Sequence, residues 1–204
     1  LHDTVKARYD ALSKNKAAKR DDWSDLIKEL RQEAKVKGFW LPHMPQEVGG
    51  MGLGVTALAA VSAEAAKVPY GSYILNAHAP DEGNMHTLHH FATEYQRERY
   101  LSPLLEGEVR SCFSMTEPEV AGSDPTLIQT TAVEDGDDWV INGHKWFTSG
   151  ARGASFAIVI ARTDPDAEIP QARNSAFIVD CDSPGFEIVR DIETMAGSHN
   201  HCEI

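Results

Sequence analysis

The amino-acid sequence predicts an α+β fold, in which an N-terminal all-α helical domain is followed by a β-barrel or sandwich domain. Two observations support this class. The first half of the chain carries apolar residues at helical spacing, whereas the second half carries short runs of β-branched and aromatic residues between turn signals. The change falls near Gly107, so we expect a helical domain over residues 1–106 and a β domain over residues 107–204.

The composition is that of a globular protein, with 204 residues of which 42% are hydrophobic and 25% charged. The net charge of −12 repels nucleic-acid phosphates, and no apolar stretch approaches the roughly 20 residues of a membrane-spanning helix. We therefore expect neither a nucleic-acid nor a membrane partner. The three cysteines are widely spaced and are expected to be free thiols: Cys112, Cys181 and Cys202.

Two helices of the first half can be predicted in some detail. One apolar stripe at i, i+4, i+7 and i+11 consists of Trp23, Ile27, Leu30 and Ala34. Acidic residues crowd the start of this helix, and Gly38 provides its stop signal. A second helix is predicted over residues 55–67, and because it is rich in alanine on nearly every side we expect it to be buried among its neighbours. Further helical patches are predicted at 73–78, 82–91 and 93–105.

The second half contains seven candidate strands. They cover residues 111–116, 127–133, 139–141, 145–149, 156–162, 176–180 and 186–190. Asn142-Gly143 stands between two of these runs, and this dipeptide supplies the positive φ angles of a type I′ turn. The pattern therefore predicts a hairpin at Asn142-Gly143.

The densest chemical motif is the segment 112–124, where a predicted strand enters a turn containing proline, glycine and small polar residues. Such a turn can present backbone N–H groups and hydroxyls to an anionic or polar ligand. An ordinary surface turn has the same composition. Glu117 precedes Pro118 in this turn, a place more typical of a carboxylate that fixes the turn than of a general base.

The second motif is the segment 142–150. Alternation along a strand puts Trp146 and Thr148 on one face. An indole beside a hydroxyl suits a flat heteroaromatic ring, with the hydroxyl donating to a ring nitrogen. A core tryptophan beside an inward threonine is the structural alternative.

Taken together, these motifs resemble the two flavin-binding signatures of acyl-CoA dehydrogenases. The first signature is carried by Thr116-Glu117-Pro118 and Ala121-Gly122-Ser123-Asp124, and the second by Ile141-Asn142-Gly143-x-Lys145-Trp146-x-Thr148-Ser149-Gly150. The stretch Ala79-Pro80-Asp81-x-Gly83-Asn84-Met85 is similar to the branch that includes family members ten and eleven. The resemblance runs from about Gly38 to the end of the chain.

The resemblance implies a fold of N-terminal helical, middle β and C-terminal four-helix domains with FAD between them. The residues it places around the flavin are Phe113, Ser114, Met115, Thr116, Gly122, Ser123, Trp146, Phe147 and Thr148. Met115 and Thr116 would hold the pyrimidine edge, largely through backbone groups, and Gly122 would lie near the pyrophosphate. Ser123 would bridge flavin and substrate.

In the second signature, the resemblance implies that Trp146 covers the flavin ring and that Thr148 donates to the nitrogen that receives hydride. The implied reaction removes the α proton of an acyl-CoA while the β hydride passes to FAD, which gives a trans-2-enoyl-CoA. The resemblance also implies an electron-transfer flavoprotein as acceptor and a homo-oligomer, either a homotetramer or a homodimer. The expected compartment is the cytoplasm in bacteria, or the mitochondrial or peroxisomal matrix in eukaryotes.

The catalytic base of this family is a glutamate of the C-terminal domain, and no residue of this chain matches it. The chain begins without methionine, and its last residues resemble the start of a strand. We therefore expect it to be part of a longer protein, with no catalytic residue of its own and no activity in isolation. One departure concerns Glu119-Val120-Ala121, which makes the first turn one residue longer than the commoner family spelling and bears on the assignment of Ser123.

Three alternatives stay open at the level of sequence. An acyl-CoA oxidase or a flavin monooxygenase would share the fold, and a non-catalytic binding module would use its surface for docking. A metal site could use His86 and His90, which share a helix face, or the irregular set His199, His201 and Cys202. Because neither set shows the spacing of a zinc site, we expect no bound metal.

Overall fold

The computed structural model describes residues 1–195, 197 and 200–204. The chain divides into two compact units, Leu1–Gly107 and Glu108–Ile204. The first unit consists of helices and the second of two β-sheets. The predicted α+β class, helical first and β second, is therefore confirmed.

The helical unit, all of whose residues are described, contains seven α-helices and two short helical turns of other types. The α-helices are α1 (His2–Lys14), α2 (Arg20–Val36), α3 (Val55–Ala65), α4 (Gly71–Ile74), α5 (Asp81–Phe91), α6 (Glu94–Gln96) and α7 (Ser102–Glu106). A 3₁₀ turn covers Gln46–Val48, and a π-helical turn covers Arg97–Leu101 and links α6 to α7. Within the part of the chain that the structure describes, no helix is long and apolar enough to cross a membrane.

Helix α2 forms where the sequence predicts it, but its buried face is rotated. The backbone N–H of Lys19 donates to the side chain of Asp22 at 2.7 Å, which satisfies one free donor at the N-terminus. Gly38 follows the helix with φ of +73°, a conformation that glycine adopts at little cost. The buried residues are Leu26, Leu30, Arg31 and Ala34. Two members of the predicted stripe, Trp23 and Ile27, are only half-buried.

Helix α3 lies on the surface, so the prediction that it is buried among its neighbours is wrong. None of its eleven residues, all of which the structure describes, is buried, and Val55 is 86% exposed. Alanine has the highest helix propensity wherever a helix lies. Its abundance in this segment therefore indicated helix formation and gave no information about burial.

The described residues of the β unit form eight strands in two sheets. The strands are β1 (Ser111–Ser114), β2 (Thr131–Asp135), β3 (Asp138–Asn142), β4 (Thr148–Ser149), β5 (Phe156–Arg162), β6 (Asn174–Asp180), β7 (Arg190–Asp191) and β8 (His201–Glu203). The larger sheet has the order β1-β5-β2-β3, with β6 paired to β5, and the smaller sheet has the order β4-β8-β7. Strand β5 pairs in parallel with β1 and antiparallel with β6, so it forms the centre of the larger sheet.

The two sheets share an apolar core. Cys112 of β1 and Ala157 and Val159 of β5 are buried in one cluster with Cys202 of β8. A run that is apolar at nearly every position is typical of a strand covered on both faces, and β5 has that pattern. The segment after β1 and the segment before β4, which hold the two chemical motifs, both leave this core.

The hairpin predicted at Asn142-Gly143 is not formed. The tight turn of this region is Gly136-Asp137, since Asp135 pairs with Asp138 across β2 and β3 and Gly136 has φ of +67°. After β3 the chain leaves the larger sheet and enters β4, which pairs with β8. At position 143 glycine is required for a close approach, because a Cβ there would lie 2.1 Å from Oγ1 of Thr130.

Candidate functional site

The first motif begins on β1, where burial alternates over residues 112–114. Cys112 and Ser114 face the core, whereas Phe113 is 36% exposed. The hydroxyl of Ser114 lies 3.1 Å from the hydroxyl of Thr148, and both side chains are buried. Of these residues, only Phe113 therefore presents its side chain to a ligand at the surface of the β unit.

Glu117 is the anchor of the turn that follows. Its buried carboxylate accepts hydrogen bonds from Nζ of Lys145 at 2.8 Å and from the backbone N–H of Gln129 at 2.7 Å. Thr130 donates its backbone N–H at 2.9 Å and its hydroxyl at 2.5 Å. Burial raises the pKa of Glu117, but the hydrogen bonds from Lys145, Thr130 and Gln129 outweigh it, so the pKa is lowered. A charged carboxylate with four donors holds a turn in place and is not available as a general base.

Lys145 joins the second motif to the first. Besides the Glu117 carboxylate, its Nζ donates to the carbonyl oxygen of Met115 at 2.8 Å. The backbone N–H of Trp146 donates to the carbonyl of Thr116 at 3.0 Å, and the Thr116 hydroxyl donates to the carbonyl of Trp146 at 2.7 Å. The two predicted signatures therefore lie side by side in the β unit.

The alternation expected for the second motif is wrong. Only Thr148 and Ser149 belong to β4, and Phe147 just before them has φ of +50°, in the left-handed region. This change of direction leaves Trp146 half-buried and Thr148 fully buried, while Phe147 is 42% exposed. The exposed aromatic side chains of the two motifs are therefore Phe113 and Phe147.

Two residues complete this region: Ser149, which the sequence analysis named only as part of the second signature, and His201, which it considered only as a metal ligand. The hydroxyl of half-buried Ser149 lies 2.7 Å from Nδ1 of His201 on β8. The ring of His201 lies 6.3 Å from the ring of Phe147. The exposure of Ser149 depends on the left-handed backbone at Phe147, and phenylalanine gives no sequence signal for that conformation.

The remaining predicted site residues lie in and after the turn. Met115 and Thr116 are half-buried, and Gly122 and Ser123 are exposed. A Cβ at Gly122 would meet Cγ2 of Thr116 at 3.4 Å, an ordinary contact. Asp124 then caps a 3₁₀ turn that covers Pro125–Leu127, and its side chain accepts hydrogen bonds from the backbone and hydroxyl of Thr126.

The histidines do not form a metal centre in the part of the chain that the structure describes, where no group of three or more potential ligands is suitably arranged. The rings of His86 and His90 stack with centroids 6.5 Å apart. His199, one member of the second predicted set, lies outside the described residues. The three cysteines are free thiols, as predicted from their spacing.

A cavity of about 390 Å³ lies within the helical unit. Its lining comes mainly from apolar residues of α1, α3 and α4 and the segment between α3 and α4, including Val5, Val61 and Ile74. Its ionisable lining residues are His2 and Glu64. It therefore lacks the set of donors that a phosphate or an isoalloxazine ring needs, and the candidate cofactor site is the paired motif of the β unit.

Family comparisons match both units. Residues 1–108 match the acyl-CoA dehydrogenase N-terminal domain, and residues 112–204 match the acyl-CoA dehydrogenase middle domain. Each match covers about half of the chain, and together they cover nearly all of it.

Curated relatives carry the same family name. The chain is 44% identical over 183 residues to "Probable acyl-CoA dehydrogenase FadE2" of Mycobacterium tuberculosis, which covers 88% of this chain and 44% of the relative. It is 36% identical over 192 residues to human acyl-CoA dehydrogenase family member 11, with coverage of 90% and 24%. The chain thus spans less than half the length of these relatives.

Solved structures agree with the sequence comparisons. A Mycobacterium abscessus protein assigned as an acyl-CoA dehydrogenase is 34% identical with a TM-score of 0.82, covering 99% of this chain and 51% of that protein. A glutaryl-CoA dehydrogenase from Mycobacterium smegmatis in complex with FADH2 is 25% identical with a TM-score of 0.65, covering 94% and 48%. The chain described here belongs to the acyl-CoA dehydrogenase family, in the group of relatives that includes family members ten and eleven.

Proposed function

We propose that the protein containing this chain is an FAD-dependent acyl-CoA dehydrogenase that converts an acyl-CoA thioester to the trans-2-enoyl-CoA. The observation that carries the proposal is the joining of the two signature motifs through Glu117 and Lys145. The FADH2 complex of the glutaryl-CoA dehydrogenase supports the choice of cofactor.

The residues of the paired motif fit a flavin. Phe113 and Phe147 offer exposed aromatic surface, and an aromatic ring packs well on a flat heterocycle and excludes water from it. Gly122 and Ser123 lie exposed in the turn, where backbone and hydroxyl groups are accessible to polar or phosphate groups. Met115 and Thr116 would hold the pyrimidine edge through their backbones. Bound FAD would supply the hydride acceptor.

For the hydroxyl near the hydride-accepting nitrogen, we favour Ser149 over Thr148. Thr148 is fully buried and its hydroxyl is hydrogen-bonded to Ser114. Ser149 is half-buried, and its hydroxyl is oriented by His201. Ser114 and Thr148 would then contribute through their backbones, Trp146 would support Phe147 from behind at a ring distance of 4.9 Å, and Ser123 would face the substrate.

We propose, as the family resemblance implies, that other parts of the protein supply the catalytic base, the rest of the FAD site and the oligomer interface. We accordingly propose that the chain by itself does not turn over acyl-CoA, since a missing general base alone costs about 10²–10⁴-fold in rate. An electron-transfer flavoprotein is the proposed electron acceptor, and a homo-oligomer is the proposed assembly.

The test is an anaerobic absorbance scan of the full-length gene product before and after addition of acyl-CoAs of several lengths. Bleaching of the oxidised flavin band is the expected result, and the most effective chain length identifies the substrate class. Stoichiometric peroxide in air at turnover rate would favour an oxidase or monooxygenase. A colourless protein that takes up no FAD would overturn the proposal and leave a binding module. The 204-residue chain, assayed in parallel, should show no turnover.

A further inference from the structure

His144 bridges two carboxylates beside the first motif. It lies between β3 and β4, and its Nδ1 is 2.8 Å from Oε1 of Glu119 while its Nε2 is 2.9 Å from Oε1 of Glu203 on β8. A carboxylate only accepts hydrogen bonds, and an imidazole donates from both nitrogens only when it is protonated. Both contacts can therefore form as hydrogen bonds only with the imidazolium.

The surroundings favour that charge. Hydrogen bonds to Glu119 and then to Glu203 raise the pKa of His144, against a smaller opposing effect of burial. The hydrogen bond from His144 lowers the pKa of Glu203, and Arg190, whose Nε lies 2.7 Å from the other Glu203 oxygen, lowers it further. The groups facing His144 are thus two carboxylates, one of which also contacts the guanidinium of Arg190.

Glu119 links this bridge to the turn of the first motif. It lies two residues after Glu117 in the segment 117–123, the turn that contains Glu119-Val120-Ala121. Glu117 holds the buried start of this turn. Glu119 is exposed on the outer part of the turn and is tied by His144 to β8, 59 residues away from His144 in the chain.

We propose that His144 is a positioning residue that, as the imidazolium, clamps Glu119 and thereby holds the 117–123 turn in the conformation that receives the flavin. The consequence for the cofactor rests on the proposed function, whereas the clamp itself does not. Because the pKa of His144 is raised in the folded state, its contribution is complete below the unfolded value of about 6.5 and is lost as pH rises through the folded value. The turn is therefore held most firmly at mildly acidic pH.

The clamp can be tested on the full-length protein by NMR. The ring resonances of His144 and the backbone amides of residues 119–123 are followed from pH 5.5 to 9. In the wild-type chain, the amides should titrate together with the ring. In His144→Gln they should show no such transition, and in His144→Arg, which keeps a permanent charge and several N–H donors, they should stay at the low-pH position throughout. His78→Gln, a change in the helical unit, is the matched control and should keep the wild-type profile.

The cofactor consequence is tested on the full-length protein by the affinity for FAD. Wild-type affinity should weaken roughly two- to fivefold between pH 6 and 9, the range expected for a partly exposed ion pair. His144→Gln should bind weakly without this pH dependence, and His144→Arg should bind tightly at both values. Amides that do not follow the His144 ring would overturn the clamp, even if FAD binds. If the amides follow the ring but no variant takes up FAD at any pH, the proposed function fails and the clamp stands.

Discussion

The helical unit and the β unit bury an ionisable side chain in opposite ways. In the helical unit His43 is buried, and neither ring nitrogen has a hydrogen-bond partner among the described residues. Burial, followed by the nearby charge of His86, lowers the pKa of His43 to about 4. In the β unit Glu117 stays charged because Lys145 and three N–H or O–H donors surround it. A buried group either gives up its charge or is surrounded by partners, and only the second arrangement can fix a loop in space.

Glu117→Gln is the substitution with the largest expected effect on the difference between the two units. The change leaves the ammonium of Lys145 buried without its carboxylate, so we expect a loss of about 3–5 kcal/mol in the free energy of unfolding. Urea titration of the 204-residue chain measures it. Glu119→Gln is the matched control on the exposed part of the same turn and should cost at most about 1 kcal/mol. Equal effects of the two changes would show that the buried pair has no special role.

Acidification should reveal the neutral His43. Its folded-state pKa of about 4 lies below the unfolded value of about 6.5, so the unfolded chain binds the extra proton first. Stability therefore falls as pH drops from about 6.5 towards 4, by up to roughly 3 kcal/mol from this residue. Comparing the wild-type chain with His43→Leu at pH 7 and pH 4.5 isolates the contribution. If both proteins lose the same free energy, the pKa of His43 is not lowered by folding.

Substitution of one glycine in each unit is expected to have smaller effects on stability, of opposite sign. Gly143→Ala places a Cβ 2.1 Å from Oγ1 of Thr130, the hydroxyl that also donates to Glu117. We expect a loss of about 1–3 kcal/mol in the free energy of unfolding from this overpacking.

Gly83 lies inside α5, and a Cβ added there would meet no atom of a neighbouring element within 4 Å. Gly83→Ala should therefore stabilise the protein by about 0.5–1 kcal/mol. Thermal unfolding of both variants measures the two changes in stability. If Gly143→Ala does not change the stability, the 143–147 segment can shift to accommodate the added Cβ.

Much of the fold could be predicted because local signals agreed with the final packing. Strand β5 occupies the predicted residues 156–162, since a continuous apolar run has few alternatives to a covered strand. The end of α2 could likewise be predicted from a local signal, since Gly38 adopts the positive φ that follows many helices. The hairpin prediction at Asn142-Gly143 was wrong because the glycine there allows a close contact with Thr130, 13 residues earlier in the sequence. A dipeptide also cannot indicate which of two sheets the following strand joins.

The candidate site was predictable to the extent that it follows regular strand geometry. Phe113 is exposed between buried Cys112 and buried Ser114, as strand alternation predicts for these three residues. The second motif departs from that geometry at Phe147, whose backbone is left-handed. Strand alternation therefore predicted the wrong face for Thr148 and did not indicate that Ser149 is accessible. The roles of Lys145 and His144 come from residues 25 to 59 positions away, which no local pattern encodes.

The pairing that closes the second motif has a consequence for the order in which the protein can form. The backbone of Lys145 exchanges two hydrogen bonds of 2.8 Å with Ile204, and His144 contacts Glu203, 59 residues later in the chain. A ribosome adds about 5–20 residues per second, so Lys145 waits on the order of 3–12 seconds for these partners. The helical unit is complete before residue 108 is made, whereas the turn anchored by Glu117 acquires its full support only after residue 204 has been synthesised. During synthesis, the β unit therefore stays incomplete for longer than its first motif takes to emerge, whereas the helical unit can form from residues 1–107 alone.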